Sequence, residues 1–186
     1  MPVEKMSESF LLWFTLAILL FWGVGVYNRL MRMRARALSA LGSVEKHLRQ
    51  YAELLQEMSP SATPIHSAHL DETGVEWINL AAALKKVDHA MTGPRSMALD
   101  PEALSNLAHA HEELQRVWFA LCFVPVELAG PAMLEVMRNQ WDAIAQRVDT
   151  SRGGLNQILE KYNAALRQFP ASVVVPLMGF RPAGLL

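Results

Sequence analysis

Six histidines, one cysteine and two adjacent glycines are the residues of this chain whose types could do chemistry. Two histidines close in sequence can share a metal ion. His66-x2-His69 lies in a polar stretch, and His109-x-His111 lies in a helical pattern. A helical spacing of two puts the rings on different faces. Neither pair has a cysteine or a suitably spaced carboxylate to complete a zinc set. His111-Glu112-Glu113-Leu114 is followed by Gln115, so the His-Glu-x-x-His pattern of zinc hydrolases is not met. His111 falls on an apolar stripe and is expected to be a half-buried core histidine, whereas His109 falls on a polar one. Cys122 sits in the run Val117–Val124 and reads as a small buried apolar residue. With no base implied beside it, it has nothing to make it a nucleophile. A single cysteine also excludes an intrachain disulfide. Gly153-Gly154 lacks the spacing and the preceding strand of a phosphate loop. No catalytic, cofactor-binding or metal-binding residue is assigned, and the chain is expected not to be an enzyme. A metal-dependent hydrolase accessory using His66, His69, His109 or His111 is the weakest alternative.

The element that must position everything else is Ser9–Asn28, twenty residues without a charge. A helix needs about 20 mostly apolar residues to cross a hydrocarbon core of about 30 Å, and in lipid a helix satisfies its own backbone. Phe10, Trp13, Phe14, Leu20, Trp22 and Tyr27 are the expected anchor, with Trp and Tyr suited to the interfaces. Arg29, Arg32, Arg34 and Arg36 follow the span, and only Lys5 precedes it. That bias predicts an N-terminus of eight residues outside and a cytoplasmic C-terminal domain. A cleaved signal peptide would carry its basic residues before the apolar run, so cleavage at Ala35-Arg36-Ala37 is not expected.

The chain has 17 Lys+Arg and 18 Asp+Glu. Setting aside Lys5, Glu4 and Glu8 leaves sixteen of each sign in residues 29–186. No bulk charge points to nucleic acid; the arginines after the span sit where anionic headgroups would be. Strand patterns are absent. From Leu30 onward a heptad seam runs Ala37, Leu41, Val44, Leu48, Tyr51, Leu55 and Met58. Arg34 occupies a seam slot, so close packing is expected to start beyond it. The prolines of Ser59–Pro64 end this helix. A second helix carries Trp77, Leu80, Leu84, Val87 and Met91, and Thr92-Gly93-Pro94 breaks it. The third starts with Asp100 as N-cap and Pro101 in the first helical position. Its stripe is Leu104, Leu107, His111, Leu114, Trp118 and Leu121, and Pro125 closes or kinks it. The fourth opens at Gly130-Pro131. Its seam is Leu134, Met137, Trp141, Ile144, Val148, Ser151, Leu155, Ile158, Tyr162, Ala165 and Phe169, uninterrupted by Gly153-Gly154. The expected fold is all-α: a transmembrane helix continuing into an antiparallel four-helix bundle over residues 29–170, then an apolar tail, residues 171–186.

Near the end stand Leu155-Asn156, Tyr162-Asn163, Arg167, Phe169-Pro170 and Gly179-Phe180-Arg181-Pro182. Gln146-Arg147-Val148 lies upstream, and Tyr27-Asn28-Arg29-Leu30 follows the apolar run. Together these resemble the two ends of LemA family proteins. The resemblance implies a single-pass bacterial inner-membrane protein with a cytoplasmic helical bundle, and it implies no reaction. Its motif positions here are Asn28, Arg147, Asn156, Tyr162, Asn163, Arg167, Phe169, Pro170, Gly179 and Phe180. Seen as residues alone, Tyr162 and Phe169 are core packing and Pro170 is a helix stop. The tail has one charge and should dock on lipid or on the base of the bundle. The expected function is a membrane-anchored scaffold or adaptor. Its partners would be membrane lipid and an unidentified protein or further copies of itself, with no cofactor. A membrane-shaping protein that uses the arginines and the tail as a lipid-contacting foot is the alternative.

Overall fold

The computed structural model describes residues 3–58, 72–123, 131–169 and 171–186. The expectations for the loop prolines, His66, His69, Pro125, Gly130 and Pro170 lie outside the described residues. The described residues are all-helical. The elements are α1 (Val3–Met58), α2 (Glu72–Met91), α3 (Pro101–Phe123), α4 (Pro131–Arg167), the short α5 (Ala171–Val174) and a 3-10 turn (Pro176–Met178).

α1 runs 56 residues without a break, about 84 Å at 1.5 Å per residue. Its first part is apolar and bare. An 18-residue window there has mean hydropathy 2.1, with none of it buried, and Phe21 is 86 % exposed. Among the described residues this is the one helix long and apolar enough to cross a membrane. Its second part carries the packing seam: Ala37, Leu41, Val44, Leu48 and Tyr51 are buried, as their spacing predicts. At the far end Leu54 is buried and Leu55 only half-buried.

Close packing does not wait for Arg34. Leu30 is 1 % exposed, and Gly23 is also buried. The reason is the C-terminal segment, which returns to this level: a Cβ on Gly23 would meet Met178, and the Tyr27 and Phe180 rings lie 5.7 Å apart. Arg34 itself is half-buried, and its Nη2 donates to the Ser96 carbonyl at 2.7 Å in an exposed bond.

α4 packs along α1, and α2 packs along α3. α3 buries Leu104, Leu107, His111, Leu114, Trp118 and Leu121, the stripe its spacing predicts, while Cys122 is half-buried. α4 passes through Gly153-Gly154 unbroken. Its buried line is Met137, Trp141, Ile144, Val148, Leu155, Leu159, Tyr162, Ala165 and Leu166, with Ala165 where the heptad spacing puts it. The heptad reading placed Ile158 and Phe169 on it. A straight helix repeats every 3.6 residues, not 3.5, so over eight turns the buried face drifts onward to Leu159 and Leu166. Phe169 lies beyond the helix end at Arg167 and is 80 % exposed.

α1, α3 and α4 meet at one node. The Trp118 and Trp141 rings stack with centroids 4.2 Å apart, and Tyr51 lies 4.3 Å from Trp141. Gln115 ties the three together. Its Oε1 accepts from Trp141 Nε1 at 3.1 Å, and its Nε2 donates to the Tyr51 hydroxyl at 2.8 Å. The same Nε2 faces His111 Nε2 at 3.2 Å. α1, α3 and α4 are thereby joined by polar groups that satisfy one another inside the core.

Gly153 and Gly154 are exposed, and a Cβ on either would meet nothing within 4 Å. Glycine inside a helix costs about 0.5–1 kcal/mol relative to alanine. The G153A/G154A variant should therefore be more stable by about 1–2 kcal/mol in denaturant unfolding of the micelle-embedded protein; a loss of stability would mean that the glycines serve a bend.

Candidate functional site

The functional candidates converge where the C-terminal segment lies against α4. Gly179 makes the approach possible. Its φ of +70° is the left-handed conformation that glycine adopts without steric cost. Beyond it the chain has no regular secondary structure and runs back along α4: Arg181 lies by Tyr162, Ala183 by Asn163, and Leu186 by Asn156.

Each asparagine grips one residue by both main-chain groups. Asn163 Oδ1 accepts from the Ala183 amide at 2.8 Å, and its Nδ2 donates to the Ala183 carbonyl at 2.9 Å. Asn156 does the same to Leu186, at 2.9 and 2.8 Å. Arg152 Nε also donates to the Leu186 carbonyl, and the Tyr162 hydroxyl donates to the Arg181 carbonyl at 3.2 Å. The spacing explains the fit. Seven residues of helix rise about 10.5 Å, and three residues of extended chain span about 10 Å.

The opposite wall is the start of α3. The Gly184 amide donates to the Leu99 carbonyl at 3.2 Å, and a Cβ on Gly184 would fall 2.7 Å from Pro101 Cα. No side chain fits there. Val175, Ala183 and Leu186 are buried, while Val173 and Leu185 remain exposed. Of the two docking sites expected for the tail, residues 180–186 use the protein. Tyr162 is raised above the ordinary tyrosine range by burial, with Arg34 opposing, so it stays a hydroxyl donor.

The remaining motif positions do different things. Arg29, Arg32 and Arg36 are exposed, whereas Arg34 is half-buried and bound to Ser96. Asn28 and Arg167 are exposed rather than packed, because α1 and α4 turn those faces outward. Arg147 is exposed too, and its Nη1 reaches Gln50 on α1 at 3.3 Å.

The described histidines are scattered. His109 is exposed with Glu112 at 3.7 Å, His89 is exposed on α2, and His47 Nδ1 is buried without a hydrogen-bond partner. His111 is buried at the node. Among the described residues no group of three or more His, Cys, Asp or Glu could hold a metal ion. A second concavity, a cleft of about 270 Å³, is lined by Leu41, Glu45, Met91, Arg95 and Leu104 among others. Glu45 is buried there with Arg95 Nη2 at 3.3 Å. This pair and the Arg34–Ser96 bond hold α1 to the connection between α2 and α3.

No family model, no curated protein and no solved structure matches the chain.

Burial lowers the His111 pKa below its usual value; Asp149 opposes this, Arg152 reinforces it, and Glu112 opposes it. The unfolded chain therefore takes up the proton first. The contribution of neutral His111 to stability is intact above about pH 6.5 and declines as the pH falls through that value. Between pH 7.5 and 5.5 the native protein should lose stability more steeply than H111Q in denaturant titrations; parallel curves would contradict the neutral node. Asn163→Ala removes two clamp bonds, each worth about 0.5–1.5 kcal/mol. Hydrogen exchange at the Ala183 amide should rise about tenfold or more, while Leu80 and Val87 stay protected.

Proposed function

We propose that the protein is a non-enzymatic, single-pass membrane scaffold of the LemA type, residing in a bacterial inner membrane. Ser9–Asn28 spans the bilayer with the N-terminus outside. The rest is a cytoplasmic antiparallel four-helix bundle that offers its surface to a protein partner or to further copies. The observation that carries this reading is the unbroken passage of α1 from a bare apolar stretch into a packed core. A helix without a hinge transmits position and rotation from the anchor to the bundle. Exposed Arg29, Arg32 and Arg36 lie at the junction of the two parts, where anionic headgroups favour them. Tyr51 beside Trp141 and Arg34 acting on Tyr162 support an opposed course of α1 and α4, since the earlier residue of one helix meets the later residue of the other.

A second reading draws on Phe169 and Val173, which are 80 % and 63 % exposed on the returning chain. Apolar residues left bare, together with the exposed Arg29, Arg32 and Arg36 on α1, suit a foot that contacts lipid.

Orientation is tested in intact cells with a membrane-impermeant maleimide. In a Cys122→Ser background, Ser7→Cys should react before lysis and Glu160→Cys only after it. The reverse pattern would overturn the topology. Photoreactive residues at exposed Glu53, Glu112 and Glu160 should give adducts with a partner or a second copy. A membrane-resident protein with no adduct at any of them would overturn the scaffold.

A further inference from the structure

Among the described residues, the hydrogen bonds between residues 180–186 and the rest of the protein go to the main chain of that segment. The Arg181, Ala183 and Leu186 carbonyls and the Ala183, Gly184 and Leu186 amides are the groups held. A strand added to a sheet edge is read in the same way, with main-chain bonds giving affinity and a few side-chain positions giving selectivity. Here the reader is a helix with asparagines seven residues apart. The selective positions are Gly184, which Pro101 crowds, and Ala183 and Leu186, which are buried.

We propose that the face formed by Arg152, Asn156, Tyr162 and Asn163 on α4, with Leu99 and Pro101 opposite, is a groove for an extended peptide, and that it accepts residues 180–186 of a second copy as well as its own. Main-chain groups are the same whichever chain supplies them. The groove therefore distinguishes its own segment from a neighbour's only by effective concentration. Exchanging identical contacts is a low-cost route to association.

The connection permits the exchange. Gln168–Gly179 is twelve residues, about 40 Å when extended. Its described residues include four of α-helix and a three-residue turn, Gly179 supplies the reversal, and exchange has to release buried Val175 and the Met178 contact at Gly23. Two helix diameters are about 20–24 Å, so the segment can reach an adjacent bundle. The in-plane part of the inference rests on the proposed membrane anchoring, because anchored copies hold groove and segment at one height.

The test uses full-length protein in micelles and in native membranes. One copy lacks residues 180–186 and has an empty groove. The other carries Asn156→Ala and Asn163→Ala and has a free segment. The two copies carry different affinity tags. They should co-purify with each other at least tenfold above either with itself. A capped peptide of residues 179–186 should displace the pair and bind the shortened copy, and the Gly184→Ala peptide should bind at least tenfold more weakly. Peptide binding without co-purification would overturn the second copy as occupant. No peptide binding by a shortened copy of unchanged helicity would overturn the groove. Should shortening cost helicity, the intact chain decides, through a photocrosslinker at exposed Leu185 in mixed light- and heavy-isotope protein. Light–heavy adducts to α3 or α4 support exchange, and adducts confined to one isotope refute it. Pairing in micelles but not in membranes would count against the proposed anchoring and leave the groove standing.

Discussion

An α-helix that continues without a hinge has no freedom to choose its face twice. Each residue of α1 turns the chain by about 100°, so the direction of Leu30, Ala37 and Leu41 is fixed once the direction of the apolar stretch before them is fixed. Much of the remaining structure is placed against that face, directly or through α2. α4 packs along α1, and the connection between α2 and α3 is held to α1 by Arg34 and by Glu45–Arg95. The returning chain covers Gly23 and sets the Phe180 ring against Tyr27. A change of rotation in the first twenty residues of α1 would have to be absorbed by all of these contacts at once.

The node around Gln115 answers a second problem. Apolar seams built of leucine and valine interlock in several registers, since one turn of slip exchanges one aliphatic side chain for another. Gln115, Tyr51, His111 and Trp141 permit only the register in which each polar atom finds its partner. A slip would leave at least one amide or hydroxyl buried and unpaired, at a cost of about 1–3 kcal/mol. Polar satisfaction in the core thus supplies registration, while the stacked tryptophans supply area.

Much of this was legible in the sequence, because it rests on periodicity. The uncharged run, the length of α1, the start of α3 at Pro101 and the stripe from Leu104 to Leu121 all follow from spacing. The later half of α4 was misjudged where a 3.5-residue period was carried through a straight helix, which put Phe169 in place of Leu166. The early start of close packing at Gly23 and Leu30 has no local signal, because Met178 and Phe180, which meet Gly23 and Tyr27, lie about 150 residues on. Asn156 and Asn163 were visible as motif positions, but their role was not. The signal that could have given it was a heptad spacing of two asparagines beside the seam, followed by a tail with glycine, alanine and no helical period. Gln115 carried no signal, since its neighbours Leu114 and Trp118 complete the stripe without it.

The pairing of α1 with α4 also has a history in time. Gln50 and Arg147, which touch in the finished protein, are 97 residues apart. At a synthesis rate of about 5–20 residues per second, α1 stands about 5–20 s with its seam uncovered before Arg147 is made. α2 and α3 need no such wait, because Lys86 and Glu113 are separated by only 27 residues. Sequence separation alone lets α2 and α3 meet before α4 can reach α1, and until then Leu41, Val44, Leu48 and Tyr51 lack the cover that α4 gives them. In that interval, before the mature protein exists, the seam is open to any other apolar surface within reach.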